Sequence, residues 1–223
     1  QRWIPQEEDH FYHGADGKIR LTASEEAWLD SHPVIRFAVT NFITPVDIVG
    51  EGGEYSGLNA DLITLLNRKL GSNIVPEFHS SWGDLVERTM TGKVDGAFSL
   101  SRTPERMQHI LFTRPYAFDP VIAVVRRDDK DIATWEDLAG KTASVVRGAS
   151  MIEDVRAALG AGTLIEVEDE TAGLKQLADG KADAHVSWLM PFGNAQKKDP
   201  VSGLRIAVTR NTESGSLRIG IHK

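Results

Sequence analysis

From Val34 onward, short runs of β-branched and small apolar residues alternate with stretches whose apolar positions recur at helical spacing. Val34 to Thr40 reads as a strand. Asn59 is placed to cap a helix carrying Leu62, Leu65, Leu66 and Leu70, closed by Gly71. Asn73 to Phe78 is a strand, and Ser81 starts a helix through Met90. Val94 to Phe98 is a buried strand, followed by a helix start at Thr103-Pro104-Glu105, and Val121 to Val125 is a β-branched strand. A second series follows: helix Trp135–Leu138, strand Thr142–Val146, helix Met151–Leu159, strand Leu164–Val167, helix Leu174–Ala178 and strand Ala182–Val186. A returning strand spans Arg218 to Ile221. This order predicts α/β architecture with parallel sheets.

Ahead of the first strand the pattern changes. Residues 1–21 have no clean period, and carry Arg2-Trp3-Ile4 and Phe11-Tyr12-His13-Gly14. They read as a linker or the tail of something upstream. Thr22-Ala23-Ser24-Glu25 is a capping box opening a helix with Ala27, Trp28 and Leu29, which should stop at His32 because Pro33 disfavours α geometry before it.

The two series echo each other. Gly92-Lys93-Val94-Asp95-Gly96-Ala97 has the spacing of Gly180-Lys181-Ala182-Asp183-Ala184, a helix-ending glycine and Lys-x-Asp leading into a small-residue strand. Two α/β lobes would join near Ala117–Pro120 and again near Thr209–Leu217, placing any ligand in the cleft between them.

Composition narrows the function. At 223 residues the chain has room for one large or two small cores, and 41% apolar with 26% charged content is ordinary for a globular protein. A net charge of −7 argues against nucleic acid as the main partner. Zero cysteines exclude disulfides and thiol chemistry, and the seven histidines lack metal-ligating spacing. No cofactor loop is present: Gly50 to Gly57 reads as a hairpin turn, and Gly148-Ala149-Ser150 lacks the second glycine of a nucleophile elbow.

The chemistry concentrates in Ser99-Leu100-Ser101-Arg102-Thr103-Pro104-Glu105-Arg106. Hydroxyls and free backbone N–H groups at a strand-to-helix turn suit an anion, and Arg106 in the first helical turn could fork onto a carboxylate. Taken alone, the stretch also fits a surface Arg beside an ordinary capped helix.

Gly57-Leu58-Asn59-Ala60-Asp61-Leu62, Trp82, Gly92-Lys93-Val94-Asp95, Thr103-Pro104-Glu105-Arg106, Phe112-Thr113-Arg114-Pro115-Tyr116, Trp135-Glu136-Asp137-Leu138-Ala139-Gly140-Lys141, Gly148-Ala149-Ser150 and Gly180-Lys181-Ala182-Asp183-Ala184 follow one another in a family order. In that order the chain resembles the periplasmic amino-acid-binding, or Venus-flytrap, family. Leu21 to Leu29 followed by His32-Pro33-Val34-Ile35-Arg36 is similar to the lead-in of flytraps in sensor kinases, particularly the tandem flytraps of BvgS-like hybrid histidine kinases. Arg2-Trp3-Ile4 resembles the end of a preceding flytrap, which would make this the second of a pair.

The resemblance implies a two-lobed, type II periplasmic-binding-protein-like fold with a parallel-rich sheet in each lobe. Residues 1–33 would be a linker from a preceding domain plus a leading helix, 34–117 lobe one, 118–212 lobe two, and 213–223 a return toward lobe one, whose last segment lies beyond Lys223. It places Arg106 on the ligand carboxylate, Ser99 and Ser101 beside it, and Ser150 reaching from lobe two. Trp82 and Phe42 would wall the cleft; Trp82 equally fits a core aromatic on an amphipathic helix. Five positions after Asp183, where the family holds an ammonium-binding Asp, stands Trp188. An indole beside an Arg suits a flat or apolar carboxylate lacking an ammonium, such as a nicotinate-type modulator.

The expected function is therefore a periplasmic ligand-sensing domain, without a cofactor, of an inner-membrane two-component kinase. Its partners would be a small carboxylate, the preceding flytrap and kinase of the same chain, and a second copy in a full-length homodimer. Two alternatives remain: a freestanding binding protein serving a transporter, and an enzyme resembling cyclohexadienyl dehydratases. For the latter, Glu51, Glu54, Asp119 and Glu170 are the candidate general acids.

Overall fold

A computed structural model of the chain describes residues 17–40, 43–50 and 52–223. Among these, the strands form two main sheets and a small hairpin. The sequence motifs near Trp3 and Phe11, the cleft aromatic Phe42 and the carboxylate Glu51 lie outside the described residues.

The leading helix α1 (Ala23–Ser31) carries the full capping box at Thr22 and Glu25 and ends at His32. Strands β1 (Ile35–Val39), β4 (Ile74–Phe78) and β5 (Gly96–Leu100) are parallel, with β1 central among them. On the far side of β5, β13 (Ser216–His222) runs antiparallel and pairs in turn with β6 (Ile110–Phe112) and β7 (Ala117–Phe118). The hairpin β2 (Ile48–Val49) and β3 (Tyr55–Ser56) sits beside this sheet.

Helix α2 (Leu58–Leu70) begins two residues earlier than a cap at Asn59 would allow. Its N-cap is Gly57, and Asn59 is fully buried inside the first turn. The correction has a physical cause: the Asn59 amide is engaged by distant side chains and is not free to cap. Helix α3 (Trp82–Met90) is capped by the Ser81 hydroxyl as expected, and buries Trp82, Leu85, Val86 and Thr89 at helical spacing. The helix after Thr103 is a single turn, α4 (Arg106–His109), with the Thr103 hydroxyl accepting from Arg106 N at 3.2 Å.

The second sheet has the order β10-β9-β11-β8-β12. Here β9 (Thr142–Val146), β10 (Thr163–Val167) and β11 (Ala184–Trp188) are parallel, β8 (Val121–Arg126) runs antiparallel beside β11, and β12 (Leu204–Arg210) pairs antiparallel with β8 at the edge. Helices α5 (Ile152–Leu159), α6 (Glu170–Ala178) and α7 (Leu189–Lys198) complete the lobe. The expected Trp135–Leu138 helix is only a 3-10 turn at Glu136–Leu138. Along β8, Val121, Ala123 and Val125 face one core while Ile122 and Val124 face another, which explains its unbroken apolar run.

The repeated Lys-x-Asp has a structural reason. Arg36 N donates to the Asp95 carboxylate at 2.6 Å while Asp95 N donates to Arg36 O. Thr142 N and Asp183 make the same reciprocal pair, at 2.8 Å from the carboxylate. In each lobe this aspartate fastens the strand it leads into, β5 or β11, to the lobe's central parallel strand, β1 or β9. The chain crosses between sheets at Asp119–Pro120 and again between β12 and β13, where Asp119 N donates to Gly215 O at 2.8 Å. A Cβ on Gly215 would sit 2.2 Å from Asp119 O, so the two crossovers touch through backbone.

Candidate functional site

Donors from both lobes meet on two main-chain carbonyls between them. Arg106 is 3% exposed. Its guanidinium donates to Ser101 O at 2.8 Å in its own lobe and to Gly148 O at 2.6 Å in the other. The Trp82 indole donates to the same Gly148 carbonyl at 3.2 Å. Gly148 has φ +75°, a conformation favouring glycine, and a Cβ there would meet Gly83 at 3.6 Å and Trp82 at 3.7 Å. The loop from β9 into α5 can therefore turn its carbonyl straight at the guanidinium.

The second acceptor is Ser214 O, in the crossover between β12 and β13. It receives the Ser101 hydroxyl at 2.6 Å, the Ser150 hydroxyl at 3.1 Å and the Trp188 indole at 3.0 Å. Glu213 steadies this crossover by accepting from Arg102 at 2.8 Å and pairing with Arg218 at 2.7 Å. The Arg102 hydrogen bond, with the nearby Arg218, holds the Glu213 carboxyl below the ordinary range. The Trp82 and Trp188 rings stand edge to face, 6.1 Å between centroids.

Arg106, Ser101, Ser150, Trp82 and Trp188 are thus brought together. Ser99 is not part of that convergence. It adopts φ +60°, and its hydroxyl faces Asn59 at 3.0 Å and Tyr116 at 3.1 Å. Tyr116 in turn donates to Asn59 at 2.8 Å, and Asp47 accepts from Asn59 at 2.9 Å and from the Tyr55 hydroxyl. Burial pushes the Asp47 carboxyl up to about 6, against the lowering effect of those two donors. This buried network holds the end of β5, just ahead of Ser101 and the turn that leads to Arg106 on α4.

Sequence reasoning had no signal for the two acceptors, because a carbonyl belongs to every residue type. Nor does it separate Asp119 from the other candidate general acids. Asp119 is 1% exposed at the first crossover, and its oxygens accept from Met190 N at 3.2 Å in the first turn of α7. Burial raises its carboxyl to about 7, partly countered by the N–H groups of Met190 and Leu189 and reinforced by Glu170. Glu170 lies 3.1 Å from Nε2 of the fully buried His185, whose Nδ1 is 2.9 Å from the Ser144 hydroxyl. Glu54 is exposed. Burial also lowers the Arg106 guanidinium to about 10.

Two α/β lobes, linked by touching crossovers and presenting convergent donors between them, define a solute-binding cleft. The chain belongs to the bacterial extracellular solute-binding proteins, family 3, whose model matches residues 35–214. Virulence sensor protein BvgS of Bordetella bronchiseptica is 26% identical over 165 residues, 74% of this chain and 13% of that protein. The chain therefore spans a small part of that relative. Amino-acid-binding protein AabA of Dichelobacter nodosus is 28% identical over 220 residues, 95% of this chain and 84% of that protein. Among solved structures, the Bordetella pertussis BvgS periplasmic VFT2 domain matches with TM-score 0.76 and 22% identity, covering 91% of this chain and 86% of that one. An ancestral arginine-binding protein bound to arginine matches with TM-score 0.73 and 21% identity, covering 86% and 85%. The flytrap fold expected from the sequence motifs is the one observed.

Proposed function

We propose that this is a periplasmic sensing domain of a membrane-bound two-component kinase, taking a small carboxylate between its lobes and passing a change in lobe closure to the kinase. In the full-length protein it would act within a homodimer and beside a preceding flytrap. The supporting observation is the donor set. Five donors, from Arg106, Trp82, Ser101, Ser150 and Trp188, converge on Gly148 O and Ser214 O. A carboxylate offers the same kind of oxygen acceptor with a full charge, so it competes for these donors, above all for the Arg106 fork. Where the family carries an ammonium-binding Asp, Trp188 offers an indole, so the reading favours a carboxylate without an α-ammonium.

Signalling follows from exchange of acceptors. Without ligand the donors tie the lobes together through main-chain carbonyls. A bound carboxylate takes donors away from those ties, and its differential affinity for the two lobe arrangements sets the population that the kinase reads. A thermal-shift screen of small carboxylates and amino acids on the isolated domain tests this. Carboxylates should stabilise the wild type and lose that effect in Arg106→Ala; stabilisation that survives in the variant would remove Arg106 from the site.

A second reading is a freestanding binding protein serving a transporter, favoured by the match to AabA over 84% of that protein's length. It predicts an amino-acid ligand, which the same screen distinguishes.

A further inference from the structure

Ser99 is the one non-glycine residue with positive φ among those described. Serine has no preference of its own for that left-handed turn, so its surroundings must hold it there. The turn matters because Ser101 and Arg106, which form the clamp between the lobes, follow directly from it.

The direction of each hydrogen bond around Ser99 follows from which atoms must donate. Ser99 N donates to the Tyr116 hydroxyl at 3.0 Å, and that hydroxyl donates its own proton to Asn59 Oδ1 at 2.8 Å. The Ser99 hydroxyl, 3.1 Å from Tyr116 Oη, is left to donate to it, while Asn59 Nδ2 donates to Ser99 Oγ at 3.0 Å. Ser99, Tyr116 and Asn59 thus close a hydrogen-bonded ring running in one sense. The second Nδ2 proton of Asn59 goes to Asp47 Oδ1 at 2.9 Å.

Residue 59 must therefore accept once and donate twice, which among short side chains a carboxamide alone can do. Asp47 decides which way round the amide sits, because a carboxylate only accepts and so faces the nitrogen. The Tyr55 hydroxyl also donates to Asp47, and no cation pairs with this carboxylate among the described residues. Asp47, Asn59 and Ser99 are all buried, so water does not replace a partner that is lost. The ring also reaches the second crossover: Tyr116 N donates to Leu217 O at 2.9 Å, in the strand that follows Ser214.

We propose that Asn59 and Asp47 are a matched pair of positioning residues, which hold Ser99 in its left-handed turn through the ring and so aim Ser101 and Arg106 at the second lobe. Both are buried and act through Ser99. The proposal rests on the reading of Arg106 and Ser101 as the clamp, not on which carboxylate the clamp takes.

The test exchanges the pair. In Asn59→Asp, two carboxyl groups face each other across a hydrogen-bond distance and Ser99 Oγ loses its donor. One of the two keeps a proton at low pH, so the defect should grow as pH rises from about 5 to about 8. Indole N–H exchange at Trp82 and Trp188, referred to exposed Trp28, should speed up by about tenfold or more at the upper pH and recover toward the wild-type value at the lower. Trp135, buried in the core of lobe two, should not follow. Adding Asp47→Asn restores a donor opposite a carboxylate. The carboxylate at position 59 then accepts from Tyr116, from the Ser99 hydroxyl and from the amide at position 47. The double variant should return to within about threefold of the wild type at both pH values.

Unchanged exchange in Asn59→Asp overturns the proposal, as does acceleration that Trp135 shares, which would mark a general loss of stability. A double variant no better than Asn59→Asp overturns the pairing. Should Asn59→Asp not fold, Tyr116→Phe breaks the ring without adding charge, with the same acceleration expected at Trp82 and Trp188 and the same result at Trp135 overturning the proposal. Failure of the carboxylate reading looks different: nicotinate would not bind the wild type, whatever the indoles do.

Discussion

Arg106→Ala should loosen the lobes by an amount that can be worked out. The guanidinium makes two charge-assisted bonds, of which only the 2.6 Å contact with Gly148 O crosses the cleft. A hydrogen bond to a charged group contributes about 1.5–3 kcal/mol. Gly148 O keeps the Trp82 indole as a donor, so the lost contact does not orphan the carbonyl. Overall stability changes less than the two bonds suggest, because removing a buried cation also removes its desolvation cost. For closure, the 1.5–3 kcal/mol is already a net figure that counts the guanidinium's dehydration as the lobes come together. The ratio of closed to open should therefore fall by roughly 10- to 150-fold. Hydrogen exchange of the Trp82 and Trp188 indole N–H groups reads this directly, since both donate into the interface and exchange in proportion to the open population. Trp28, exposed on α1, is the internal control. Exchange at Trp82 and Trp188 unchanged in the variant would refute the claim that Arg106 ties the lobes together.

Other perturbations probe neighbouring parts. Trp188→Ala removes the donor to Ser214 O and the ring against Trp82, and should lower stability by about 3 kcal/mol in denaturant titration; a loss within experimental error would mean the indole is not structurally engaged. Gly173→Ala would place its Cβ 2.1 Å from the buried His185 ring, so a loss of roughly 1–3 kcal/mol is expected, and a neutral result would show that the ring can withdraw. Asp119 is raised by burial to about 7, so between about pH 4 and 7 the folded chain holds a proton that the unfolded chain has released. Its contribution therefore falls as pH rises through that window, by at most about 1.4 kcal/mol per unit, and levels off above it. Asp119→Asn should remove that slope from the stability profile, whereas parallel profiles for wild type and variant would contradict the assignment; Asp47 titrates in both and cancels.

The parts of this fold that rest on local chemistry were readable from residues alone. Thr22 and Ser81 cap where their hydroxyls predict, and the glycine before each Lys-x-Asp marks a real helix end, with φ +69° at Gly92 and +72° at Gly180. What could not be read depends on distant partners. Asn59 has the residue type of a cap, but Asp47, Ser99 and Tyr116 claim its amide. Helix α7 escaped notice because Trp188 precedes it without a side-chain cap and Pro191 falls in its first turn. The antiparallel strands β6, β7 and β12 are short or half-exposed and carry no clean alternation. Within the site, Arg106, Ser101 and Ser150 were legible as side chains, yet the oxygens they meet are main-chain atoms brought near by the crossovers.

The most direct measurement is a calorimetric titration of the wild-type domain with nicotinate and with glutamine under one set of conditions. Nicotinate should bind and glutamine should not, because Arg106 can take either carboxylate while Trp188 offers no charge to an α-ammonium. Tight binding of glutamine would contradict this, and would mean that a carboxylate elsewhere in the cleft does what Trp188 cannot.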